Sequence, residues 1–203
     1  MNSLFWPGLA WNEWPLWPLI VASVIALAVI LERCYSLRYR RIVPRNLFDF
    51  VSKELKKKEP DKVYLQQLIS TCPLGAIFAV ALNHANKPYA FLKEAVETEG
   101  RHAAYHLERF LPILATIAEI SPLLGLFGTT IGVIELFTHL DPTLSDPAPI
   151  ARGIALALYS TVYGLGVAVI SMVAYRYFRR KVDAMIIAME KETLRFLDLI
   201  ARP

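Results

Sequence analysis

In the apolar part of this sequence, the side chains able to do chemistry are hydroxyls. Ser121–Phe137 reads SPLLGLFGTTIGVIELF, with Thr129 and Thr130 set among Gly125, Gly128 and Gly132. Residues three and four apart share a helix face, so the glycines form one smooth stripe with Thr129 at its edge. Gly128 and Gly132 make a GxxxG pair, which lets another helix backbone come close. A second stretch, ALALYSTVYGLGVAVIS, places Gly153, Ala157, Ser160, Thr161, Gly164, Ala168 and Ser171 on one face. A hydroxyl can accept one proton and release another, but Thr and Ser do not titrate at physiological pH. Proton relays in membranes need a titratable group at depth. Here the only acidic candidates, Glu119 and Glu135, flank the central layer, and Arg152 lies at the outer mouth of the later stretch. A complete proton path therefore requires a partner that brings a carboxylate to the midplane.

Other candidates are weaker. His102 and His106 stand four apart with Glu99 one turn earlier, but no fourth ligand or second shell accompanies them, so no metal is expected. Cys34 and Cys72 form no redox or metal pattern and read as small apolar residues in a reducing compartment. The common nucleotide, zinc-protease and hydrolase motifs are absent, so neither an enzyme nor a cofactor is expected. Lys56–Lys58 sit beside Glu54, Glu59 and Asp61, which reads as a solvated turn rather than a nucleic-acid patch.

The elements that must position the hydroxyls are membrane helices. The chain has 203 residues, 55% of them hydrophobic, and its charges avoid three long blocks. Residues 1–14, with Trp6, Trp11 and Trp14, read as an interfacial segment, since indoles favour the headgroup layer. A first span is expected over 15–31 and a soluble helical insert over 32–109, with short amphipathic helices at 44–58 and 61–71. The second span falls within 110–138, on a helix expected to start near Pro88 and to bend at Pro112 and Pro122. A polar turn covers 139–152 and a third span 153–175. From 176 to 203, Phe178, Val182, Met185, Met189, Phe196 and Leu199 keep a 3-4 spacing, so that helix continues into a bundle. The fold class is all-α: three transmembrane helices, the second and third extended into a cytoplasmic helical bundle.

Basic residues set the topology. Segment 32–109 holds 14 of the 22 Lys and Arg, 176–203 holds seven, the 139–152 turn has Arg152 alone, and 1–14 has none. The positive-inside rule places the insert and tail in the cytoplasm and the N-terminus outside. Thr129 lies nine residues inward from Thr138, and Thr161 eight inward from Gly153. At ~1.5 Å per residue both stand roughly 12–14 Å below the outer surface. A threonine in a membrane helix usually bonds the carbonyl four residues back and does nothing more. Two at one depth, each on a glycine-rich face, favour a functional role.

Gly125–Gly132 (GLFGTTIG) resembles the GLxGTVxG segment of the ExbB/TolQ family, related to the MotA stator proteins. Gly153–Leu165 (GIALALYSTVYGL) is similar to that family's GIAEALxxTxxGL segment. Glu32-Arg33, Pro44 and Pro73-Leu74-Gly75 match weaker family features. The resemblance implies a homopentamer in the bacterial inner membrane whose second and third spans ring a pore. It implies single-span partners of the ExbD/TolR type, whose aspartate carries the proton. Thr129 and Thr161 are then the matching pore positions, with Ser160 and Tyr163 as further lining and Gly125, Gly128, Gly132, Gly153 and Gly164 as helix-packing positions. Work would pass to the outer membrane through a TonB- or TolA-like protein. Leu156 stands where many members carry a glutamate, so a path with that carboxylate as outlet cannot run unchanged. Either Glu135 or Glu119 substitutes, or the path needs no such group, which is the reading we favour. The alternative to a proton-driven motor is a membrane scaffold whose stripes serve packing alone.

Overall fold

The computed structural model describes residues 16–38, 42–44, 47–55, 61–138 and 148–201. Outside that range fall the Trp6, Trp11 and Trp14 segment, the Lys56–Lys58 turn and most of the turn over 139–152. Among the described residues the regular elements are all helices: α1 (Trp17–Ser36), α2 (Leu47–Leu55), α3 (Lys62–Thr71), α4 (Pro73–Asn83), α5 (Tyr89–Glu108), α6 (Leu111–Thr138) and α7 (Ala148–Ala201). Three helical stretches are long and apolar enough to cross a membrane, as expected. The chain divides into two compact units, one of residues 1–31 and 112–176, the other of 32–111 and 177–203.

In the first unit, α1 is 20 residues long, ~30 Å at 1.5 Å per residue, enough to span a hydrocarbon core. Within this unit its buried residues are Leu19 and Ala26, seven apart. Ile20, Val21, Val24, Ile25, Leu27 and Leu31 are exposed, as suits a lipid-facing helix. Helix α6 contains Pro122, and the hydroxyl of Ser121 beside it donates to the Ile117 carbonyl at 2.7 Å. The hydrogen-bonded ladder between α5 and α6 is interrupted at Arg109–Phe110. Pro112, which lacks an N–H to give to the preceding turn, accounts for a break there. Helix α7 runs 54 residues without interruption, and its single proline, Pro149, stands at the second position, where a missing N–H costs little.

The second unit is a bundle built on large side chains. Helix α4 is its apolar centre, with Leu74, Ile77, Phe78, Ala79, Ala81 and Leu82 buried. Cys72 caps it, its Sγ accepting the Gly75 N–H at 3.3 Å, and Pro73 fills the first position. Burial pushes the Cys72 thiol above its ordinary pKa. Gly75 allows the close approach of α3, because a Cβ there would strike the Leu68 carbonyl oxygen. The tail of α7 buries Phe178, Val182, Met185, Met189, Thr193, Phe196 and Leu197. The expected seam holds as far as Phe196, but Leu197, not Leu199, continues it. Phe196 stacks on Phe78 at 4.2 Å between centroids and meets Phe48 edge-on at 6.4 Å. Arg33, expected as a topogenic charge and, with Glu32, as a weaker family feature, is 4% exposed. Its guanidinium pairs with Glu32, donates to the Leu107 carbonyl at 3.0 Å and lies 4.7 Å from the Phe110 ring. It thereby caps a carbonyl in the last turn of α5.

Candidate functional site

Helices α6 and α7 meet antiparallel along their small-residue faces. A Cβ at Gly125 would stand 2.8 Å from the Ser160 carbonyl oxygen and 3.0 Å from the Thr161 Cα. One at Gly164 would stand 2.6 Å from the Ser121 carbonyl oxygen and 2.9 Å from the Gly125 Cα. Further along, Gly132 faces Ala157, and Gly153 faces the flexible side chain of Leu136. Gly128 is buried as well. With no Cβ to intervene, the backbones approach to a distance at which short side chains on both helices touch. Dispersion and hydrogen bonding hold such a contact, since lipid offers no hydrophobic drive between helices.

Where the faces meet, three hydroxyls converge on one backbone oxygen. Thr129 Oγ1 donates to the Gly125 carbonyl, one turn back on its own helix, at 3.0 Å. Ser160 Oγ reaches the same carbonyl across the interface at 2.9 Å, and Thr161 Oγ1 does so at 3.3 Å. Thr129 Oγ1 also contacts Ser160 Oγ at 3.2 Å and is hydrogen-bonded to Thr161 Oγ1. Ser160 has a second acceptor in the Ala157 carbonyl at 2.8 Å. Ser160 is 5% exposed, while Thr129 and Thr161 are half-buried. The cluster is thus packed on one side and open on the other.

The remaining sequence candidates stand apart from it. Thr130 bonds the Leu126 carbonyl of its own turn at 2.9 Å and is exposed. Tyr163 is 61% exposed and takes no part in the hydroxyl contacts. Glu119 and Glu135 lie ten and six residues from Thr129, roughly 15 and 9 Å along the axis. The side chains of Arg152 and Leu156 lie outside the described residues. His102 and His106 are exposed, and among the described residues no three His, Cys, Asp or Glu side chains group to hold a metal. The feature that residue types could not reveal is the Gly125 carbonyl, which serves both helices. The spacing of Gly125 and Thr129, four residues apart, was its only signal.

Chemically, the cluster can pass or orient a proton but holds no charge of its own. Residues 51–191 match the model of the MotA/TolQ/ExbB proton channel family. A putative biopolymer transport protein ExbB-like 3 of Synechocystis sp. is 30% identical over 165 residues, covering 80% of this chain and 79% of its own. The biopolymer transport protein exbB1 of Vibrio cholerae is 26% identical over 188 residues, 90% of this chain and 82% of its own. The Tol-Pal system protein TolQ of Haemophilus influenzae is 41% identical over 83 residues, 39% of this chain and 35% of that one.

Proposed function

The chain belongs to the MotA/TolQ/ExbB proton channel family, and on that basis we propose that it forms the pore of a proton-driven inner-membrane motor of the ExbB/TolQ type. It is a membrane protein of a family of transport and channel proteins rather than of enzymes. Five copies surround a pore lined by α6 and α7, with the N-terminus periplasmic and the C-terminus cytoplasmic. A single-span partner of the ExbD/TolR type supplies the membrane carboxylate that the spans lack at mid-depth. Thr129 and Thr161 face that carboxylate and receive or hand on its proton. Each charge crossing releases about 2.3 kcal/mol per 100 mV, and the partner's movement carries that work to a TonB- or TolA-like protein at the envelope. Tyr163, exposed in the single chain, lines the pore between copies, and Leu156 leaves the path without a glutamate outlet.

The observation that carries this reading is the convergence of Thr129, Thr161 and Ser160 on the Gly125 carbonyl. A scaffold would use the same hydroxyls as interhelical hydrogen bonds, so proton flux is what separates the two readings. The test is proton uptake into proteoliposomes holding the chain with an ExbD/TolR-type protein, driven by a potassium diffusion potential. Thr129→Val and Thr161→Val should each lower uptake at least tenfold while the oligomer keeps its size. Uptake equal to that of the unaltered chain in both variants would overturn the proposal and leave the scaffold reading.

A further inference from the structure

Three helices of the second unit meet near the last turn of α5. Arg33 ties the end of α1 to it through the Leu107 carbonyl and the Phe110 ring. Arg179 ties α7 to it through the Glu108 carboxylate at 3.2 Å. The carboxylates beside these contacts are already engaged, Glu32 by Arg33, and Glu108 and Asp183 by Arg179. Four neighbouring cations are not. Arg38, Arg109, Arg180 and Lys181 make no ion pair among the described residues. Three of them lie against a ring of their own segment: Arg38 5.6 Å from Tyr35, Arg109 5.1 Å from Phe110, and Lys181 5.8 Å from Tyr177. Tyr35 and Tyr177 are each 59% exposed, so these pairs stand at the surface.

The apolar lengths of the chain end at the same place. Helix α1 stops at Ser36 and α6 starts at Leu111. On α7 the exposed apolar run of Val169, Ile170 and Val173 stops one turn before Tyr177. At the edge of a hydrocarbon core, aromatic rings settle among the headgroups. A cation stacked on such a ring keeps its N–H groups for an acceptor further out. A phosphodiester supplies that acceptor, because it is anionic and its oxygens match the fork of an arginine. We propose that Arg38, Arg109, Arg180 and Lys181 form a belt that binds the phosphodiester of anionic phospholipids, with Tyr35, Phe110 and Tyr177 holding three of the cations in place. The occupant is lipid rather than a soluble anion, because the cations are spread over three helices at headgroup level and do not close around one ion. A zwitterionic headgroup is the poorer fit, since its own ammonium meets the same repulsion that the unpaired cations set up. The belt is separate from the hydroxyl cluster and needs only that the three apolar helices cross a bilayer.

The test uses the full chain reconstituted in phosphatidylcholine bilayers that carry a trace of spin-labelled phosphatidylglycerol or phosphatidylcholine. Electron spin resonance reads the relative association of the two labelled lipids with the protein. The unaltered chain should favour phosphatidylglycerol about threefold or more. Arg38→Gln with Lys181→Gln should bring that ratio close to one. Lys87→Gln with Lys93→Gln removes the same charge near the start of α5, Lys93 being roughly 24 Å along the axis from Arg109, and should leave the ratio unchanged. Tyr35→Leu with Tyr177→Leu keeps every charge and should still lower the ratio clearly. Lys181 is half-buried and the other three charged positions are exposed, so the helices survive these changes, and the ring variant gives an independent reading. No preference in the unaltered chain overturns the proposal. So does an equal loss in both charge variants, which makes the effect one of net charge, or an unchanged ratio in the ring variant. Loss of the preference on adding inorganic phosphate at constant ionic strength assigns the cations to a soluble anion and overturns it as well.

Discussion

The two compact units solve the same packing problem with opposite materials. In the first, α6 and α7 are joined by glycines, an alanine and three hydroxyls, and the large side chains Leu123, Leu126, Ile134, Val162, Val169 and Ile170 are turned outward. In the second, the large side chains are inside: Phe78, Phe178, Phe196, Leu37, Leu74 and Met185 are all fully buried. Water explains the difference. Where solvent is water, removing a phenylalanine from it stabilises the fold by a few kcal/mol, so bulk belongs in the centre. In lipid a leucine gains nothing by moving inward, and what remains is close backbone approach and the satisfaction of polar groups. The first unit can therefore gather hydroxyls at its interface with little loss of apolar burial, and that is where the candidate site stands.

The comparison breaks most readily at Gly164. Gly164→Leu should abolish the α6–α7 contact, since even a Cβ would stand 2.6 Å from the Ser121 carbonyl; loss of the monodisperse oligomer in detergent is the measurement. Gly166→Leu, two residues on with nothing within 4 Å of its Cβ position, should leave the oligomer intact. Equal effects at both positions would show that length and hydropathy, not the glycine face, govern this unit. Next in size is the second unit's centre. Phe196→Ala should cost about 3–5 kcal/mol, read as a lowered thermal midpoint of the helical signal, because it empties the stack on Phe78.

Smaller effects sharpen the contrast. Cys72 is buried and Cys34 exposed, so an alkylating reagent should label Cys34 rapidly and Cys72 only upon unfolding. Because burial raises the Cys72 thiol's pKa, the folded chain holds that proton where the unfolded chain releases it. Its contribution is complete below the unfolded thiol value of about 8.5 and is lost as pH rises through and beyond that value. Denaturation at increasing pH should show the decline, and Cys72→Ser should remove it. Smallest is Gly100→Ala, at an open helical position in α5, which should stabilise the chain by roughly 0.5–1 kcal/mol.

Periodicity and charge made the long elements legible. Three apolar blocks without a charged centre read as lipid-length helices, and the glycine spacing over Gly125–Gly132 marked a face suited to close helix contact or to a polar lining. The helix Pro73–Asn83 was not anticipated, because Pro73 reads as a breaker until it is seen at the first position of a helix, behind a thiol cap. Nor does sequence separate Leu197 from Leu199: Leu197 lies four residues after Thr193 and Leu199 three after Phe196, and only the surrounding helices choose between them. Thr129 bonds the Gly125 carbonyl four residues back, as threonines in membrane helices usually do. That the same oxygen is taken by Ser160 and Thr161 depends on the register between two helices, which residue types do not encode. Arg33 eluded prediction for a similar reason. A charge just past a span is ordinarily solvated, and only the carbonyl at the end of α5 gives it a reason to be buried.

In the first unit, helix α1 buries only Leu19 and Ala26, with Ala22, Val29 and Ile30 half-buried beside them. So shallow a contact over its lipid-facing length gives that part of the helix room to tilt. Tilting is the way a span accommodates a bilayer thinner than itself, at a cost of fractions of a kcal/mol per Å. The closely seated pair α6 and α7 has no such freedom without parting its glycines. In a single chain, α1 is thus the element suited to absorb changes in membrane thickness, sparing the geometry of the hydroxyls from them.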